Sequence, residues 1–225
     1  VRAHPRRLAA FATLHPRAGV EATRDEIRRA HDAGLVGIGE LSPHAQGYGI
    51  DDAVFRAAMA LAGELAMPVN LHVTCPDARA YAGHVPTPLG DFVRLARECV
   101  ATTFIFAHWG GLLPLRPEFS KDLIGLKNVF YDTAASPLLY DATVWKRFID
   151  AVGSDKVLFG SDFPLNVYPR VDAEPAMIRL LHEAHAAGVP DDVLRGNAAR
   201  MLNVRAVSTP ATAPAPSSAP GSAGG

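Results

Sequence analysis

103-TFIFAHWGG-111 is an apolar run of β-forming residues that stops at a histidine, a tryptophan and two glycines. Such an ending is informative only if it recurs, and it does. The runs RLAAFATLH (7–15), LVGIGEL (35–41), PVNLHV (68–73), TFIFAH (103–108), NVFYD (128–132) and KVLFGSD (156–162) all read as strands. They finish at or near His15, Glu40, His72, His108, Asp132 and Asp162, about 24 to 36 residues apart, the spacing of a strand–helix–strand repeat.

Between these runs the periodicity changes from strand to helix. Residues 23–34 carry a capping box from Thr23 to Glu26 and stop at Gly34, which predicts a helix. Residues 51–65 place Ala53, Val54, Ala57, Ala58, Leu61 and Leu65 at helical spacing. Helices are also predicted over 87–99, with Thr87 as cap and Pro88 in the first turn, over 141–153, over 174–188 closed by Gly188, and over 197–202. The strands are apolar without alternation, as parallel strands covered by helices are. Six βα units fit either an open doubly wound sheet or part of a (β/α) barrel, which needs eight.

Composition narrows the function. The chain has 225 residues, 48% of them hydrophobic, and a formal net charge of −1. That is enough for a sizeable core, and it lacks the positive field that nucleic acid or an anionic membrane surface requires. A small-molecule substrate is therefore expected, with no nucleic-acid or membrane partner. Cys75 and Cys99 are the only cysteines, which predicts no disulfide framework and a cytoplasmic setting. The segment 206–225, rich in Ser, Ala, Pro and Gly, is expected to be a disordered tail behind a domain of residues 1–205.

Parallel strands share one direction, so their C-terminal ends collect on one face. Ionisable groups ending buried strands are costly unless paired or coordinated, and imidazole with carboxylate is a usual donor set for a divalent metal. His72, His108 and Asp162 are the candidate ligands, and His108 and Asp162 the candidate proton carriers. Glu40 and Trp109 are expected to contact substrate. Asp132 reads as a turn cap and His15 as a loop residue. Arg116 and Arg170 are candidates to clamp a substrate carboxylate.

The motifs NLHVTCP (70–76), FIFAHWGG (104–111), NVFYDTAASP (128–137), VLFGSDFPL (157–165) and GNAARML (196–202) together resemble the amidohydrolase superfamily, in its amidohydrolase-related branch of hydrolases and aminocarboxymuconate-semialdehyde-type decarboxylases. The resemblance implies a TIM-type (β/α)8 barrel of which these strands are the third to the eighth. It also implies a divalent metal, expected to be zinc, bound by His72 and Asp162, with His108 as a further ligand or base. The family's first strand carries an H-x-H pair that this chain lacks, so the expected domain is N-terminally incomplete, with strand edges that a homo-oligomer would cover.

Three functions are consistent with this reading. The first is hydrolysis, with metal-activated water attacking an amide, ester or lactone carbonyl. Non-oxidative decarboxylation of an unsaturated or aromatic acid is the alternative. A catalytically inactive barrel with a binding role is the third.

Overall fold

A computed structural model describes residues 1, 3–5, 7–78, 84–163 and 176–204. The expected tail, 206–225, and Arg170 lie outside the described residues. Six strands form one sheet: β1 (Phe11–Ala12), β2 (Gly37–Leu41), β3 (Val69–Leu71), β4 (Phe104–Phe106), β5 (Val129–Asp132) and β6 (Val157–Leu158). They are hydrogen-bonded in chain order, β1 to β6, and every pairing is parallel.

That order decides between the two architectures. A doubly wound sheet reverses its strand order at a switch point, whereas right-handed crossovers between successive neighbours put every helix on one face and curl the other inward. The sheet is therefore part of a barrel wall. Helices α1 (Val20–Asp32), α2 (Ala53–Glu64), α3 (Leu89–Glu98), α4 (Pro117–Leu123), α5 (Thr143–Val152), α6 (Ala176–Ala186) and α7 (Asn197–Met201) alternate with the strands or close the chain.

The core follows from the apolar runs. Ile38, Leu41, Leu71, Phe104 and Phe106 on or beside the strands are fully buried with Ile27, Met59, Phe92, Trp145 and Phe148 from the helices. Burying each such side chain contributes roughly 1.5–3 kcal/mol before the entropy of ordering is subtracted.

Local details differ from the sequence reading for identifiable reasons. α1 begins at Val20, so Thr23 lies inside the helix and is buried; Gly19 occupies the cap position, at φ 86°. Thr87 does not cap α3. Its hydroxyl accepts from the Thr74 N–H and donates to the Thr74 carbonyl, both at 3.1 Å, which ties down the loop after β3. Asp52 caps α2 by accepting from the Val54 and Phe55 N–H groups. α4, which opens with Pro117 in its first turn, and a single helical turn at Ser136–Leu139 lie where no helix was expected.

Candidate metal centre

The C-terminal part of β2 and the segments after β3 and β4 bring three side chains to one mouth of the wall. Oε1 of Glu40 is 2.7 Å from Nδ1 of His72 and 3.4 Å from Nε2 of His108, and the two imidazole nitrogens are 3.1 Å apart. All three donor atoms lie within 4.8 Å of one another. The Glu40 side chain is 35% exposed and that of His72 27%, whereas His108 is buried.

Each placement has a local cause. Glu40 stands where the β2–β3 register slips, Ile38 pairing with Val69 but Leu41 with Leu71. Three residues of β2 thus oppose two of β3, and a bulge of this kind re-aims the side chain it carries. The bulge needs Gly39, at φ 133°, because a Cβ there would lie 2.6 Å from the Asn70 carbonyl oxygen. His72 follows β3 directly, and its N–H donates to the Leu41 carbonyl.

His108 opens a turn in which five successive residues, His108 to Leu112, have φ between 56° and 61°. L-residues avoid this left-handed region, and glycines at 110 and 111 relieve two of the five positions. The turn is held from β5. The Asp132 Oδ1 accepts from the N–H groups of His108 and Ala134, each at 3.0 Å, and its Oδ2 accepts from Asn70 at 3.0 Å. The His108 Nδ1 lies 3.1 Å from the Ala134 carbonyl, and the Tyr140 hydroxyl donates to the His108 carbonyl. With Nδ1–H given to a carbonyl, Nε2 is the atom left to face Glu40 and His72.

The donor set fits a divalent metal. Bonds of about 2.0–2.1 Å in a tetrahedron separate ligand atoms by roughly 3.3 Å, and the three observed separations need little adjustment to reach that. Without a cation, Glu40 and His108 favour each other's charged forms. Burial alone would raise the Glu40 carboxyl, but hydrogen bonds with His108 and His72 outweigh it and hold the carboxyl down to about 2. Burial would depress His108, yet the Glu40 hydrogen bond and charge, helped by Asp132, push it up to about 9.

Asp162 is outside the triangle formed by these three groups. It lies four residues past β6 at φ 60°, partly buried, and burial pushes its carboxyl up against the opposing pull of His108. The charges of His108, Glu40 and His72 all act on it, so it lies within their electrostatic reach. Thr133 steers this exit by exchanging hydrogen bonds with Gly160, donating to its carbonyl at 2.9 Å and accepting from its N–H at 3.1 Å.

Two expected contacts fall elsewhere. Trp109 is 0% exposed, donates its indole N–H to Ser136 at 2.9 Å and packs against Trp145 and Phe148. It belongs to the core beneath the turn, which corrects the expectation of substrate contact. Glu40, expected to meet substrate, stands with the two histidines. Arg116 pairs with Asp77, and His15 is exposed ahead of a short turn at Pro16–Ala18. Asn70 is the supporting residue that strand-end spacing did not single out, whereas Asp132 stood among the strand ends and proves to brace the turn after β4. The signal for Asn70 was its two-residue offset from His72, which sets both on one side of a strand.

Comparison with known proteins is consistent with this architecture. The family model described as Amidohydrolase matches residues 1–204. A crystal structure of 2,6-dihydroxybenzoate decarboxylase from Rhizobium aligns with a TM-score of 0.62 at 20% identity, over 90% of this chain and 73% of that one. 5-Carboxyvanillate decarboxylase LigW from Sphingomonas paucimobilis aligns with 0.69 at 18% identity, over 91% and 69%. An amidohydrolase from Burkholderia multivorans aligns with 0.61 at 17% identity, over 88% and 75%. At these identities the likeness concerns the fold. No curated protein sequence matches the chain.

Proposed function

The chain belongs to the amidohydrolase family, and from that premise we propose that Glu40, His72 and His108 hold one divalent metal ion, zinc in the first instance, in an enzyme acting on small carboxylic acids or carbonyl compounds. One observation carries this reading: three donor atoms from three separate strand ends converge within 4.8 Å. A mixed nitrogen and oxygen set of this kind suits zinc. The ion would supply a Lewis acid for a substrate oxygen.

The remaining work falls to the chain's own residues. We assign the reaction as non-oxidative decarboxylation of an aromatic or unsaturated carboxylic acid. The bond from the carboxylate to its neighbouring carbon breaks, the electron pair stays on that carbon, and a proton must replace the lost carbon dioxide. Asp162 is suited to donate it, because burial favours its protonated form. His108, its Nδ1–H held by the Ala134 carbonyl, presents Nε2 to the metal site. The decarboxylases that share the fold support this reading. Hydrolysis of an amide, ester or lactone is the second reading, favoured by the family's description, and would use Asp162 as its proton carrier. The two cysteines are free thiols, which fits a reducing compartment such as the cytoplasm.

The test is to supply the purified chain with Zn²⁺ or Mn²⁺ and a panel of hydroxybenzoic acids, measuring carbon dioxide, alongside a panel of aryl esters, amides and lactones. Metal-dependent carbon dioxide release, abolished by chelation, is the expected result. Hydrolysis alone would select the second reading. Turnover of neither panel with any metal would overturn both.

A further inference from the structure

Asp132 is a buried carboxylate, 7% exposed, that the chemistry above does not use. Its two oxygens are nonetheless committed. Oδ1 receives the backbone N–H of His108 and that of Ala134, and Oδ2 receives the Asn70 amide. Ala134 is the residue whose carbonyl takes the His108 ring. One carboxylate therefore grips both the main chain of His108 and the main chain that orients its imidazole.

The grip falls where the backbone most needs it, at the first residue of five that adopt left-handed angles. From this geometry we infer that Asp132 is a positioning residue for the metal centre, with Asn70 as the partner that orients its carboxylate. The inference rests on the proposed reading of Glu40, His72 and His108 as the metal site. Supporting groups of this kind set ligand orientation and typically change metal affinity about 10- to 100-fold when removed.

The Asn70 Oδ1 is buried with no hydrogen-bond partner, and this makes a conservative rescue possible. Asp132→Asn keeps an acceptor for both N–H groups. Its new amide hydrogens could be received by the Asn70 Oδ1 once the Asn70 amide turns over.

The experiment measures Zn²⁺ affinity of the full chain by competition with a chromophoric chelator, and the visible spectrum of the Co²⁺ form. Asp132→Ala is expected to weaken Zn²⁺ binding at least about 10-fold and to shift the Co²⁺ bands, while Asp132→Asn stays within about threefold of the starting protein. Met59→Ala, a fully buried core variant on α2, controls for lost stability. If it weakens Zn²⁺ binding as much as Asp132→Ala at a similar loss of melting temperature, the positioning role is overturned. Should Asp132→Ala not fold, Asn70→Ala and the exchange Asn70→Asp with Asp132→Asn replace it. Weakening in the first and recovery in the second are expected, and an unchanged Asn70→Ala overturns the inference. A starting protein that binds no Zn²⁺ overturns the metal site itself and this inference with it. One that binds Zn²⁺ and is matched by Asp132→Ala overturns the inference alone.

Discussion

Oε1 of Glu40 and Nδ1 of His72 stand 2.7 Å apart, joining a bulge in β2 to the first residue past β3. His108 completes the triangle from β4. If the three groups share one cation, each should be individually costly to remove. His72→Ala and Glu40→Ala are expected to lower Zn²⁺ affinity on the order of 100-fold or more, beyond what loss of a supporting group produces. Isothermal titration of metal-free protein checks this, and affinities within a few-fold of the starting protein would remove both from the site.

Metal uptake should depend on pH with a defined sign. His108 must lose its proton to coordinate, and it is held up to about 9 in the cation-free chain. Zn²⁺ binding is therefore expected to release about one proton near neutrality and to tighten up to about tenfold per pH unit until about pH 9. Titrations in buffers of different ionisation enthalpy count the protons. An affinity that is flat between pH 6 and 8 would contradict the assignment.

The same shifts govern the stability of the cation-free chain. His108 is raised above its ordinary 6.5, so its contribution is full below that value and is lost as pH rises through about 9. Glu40 is lowered from its ordinary 4.5, so its contribution is full above 4.5 and is lost as pH falls toward about 2. From this pair, cation-free stability should be greatest between about pH 4.5 and 6.5. Saturating Zn²⁺ should extend the plateau upward, as urea unfolding across pH would show.

Asp162→Asn removes the ionisable proton while keeping the shape of the side chain. Turnover is expected to fall roughly 10²- to 10⁴-fold, with the melting temperature nearly unchanged because the side chain is only partly buried. Stopped assays on the substrate identified by the panel, together with thermal unfolding, test this. Activity within a few-fold of the starting protein would take the proton step away from Asp162.

Gly39→Ala should be among the costliest small substitutions. It combines φ 133° with a Cβ 2.6 Å from the Asn70 carbonyl oxygen, a backbone atom that cannot swing aside. A loss of about 2 kcal/mol or more is expected in urea unfolding, with weakened Zn²⁺ binding because the bulge aims Glu40. Gly49→Ala, whose added Cβ would meet only the Asp51 nitrogen at 3.9 Å, should be neutral by comparison.

The sequence alone determined the alternation of strands and helices, and with it the expectation that His72, His108 and Asp162 stand at one end of the strands. Hydrophobic periodicity is a local property, and a parallel strand's direction fixes which end carries its last residue. It could not choose between an open sheet and a barrel wall by periodicity, because strand order is set by crossover geometry; the family motifs supplied that choice.

Only the tertiary structure decided the roles of Glu40, Asp132 and Trp109. A one-residue bulge turns Glu40 toward His72, and a bulge leaves no mark in an apolar pattern. The left-handed turn sends His108 to the mouth and the adjacent Trp109 down onto Trp145 and Phe148. Asp132 becomes a brace because the β4–β5 register sets it beside the backbone of a residue 24 positions earlier. Distances of about 3 Å between groups so far apart in sequence depend on backbone torsions and packing that no window of neighbouring residues contains.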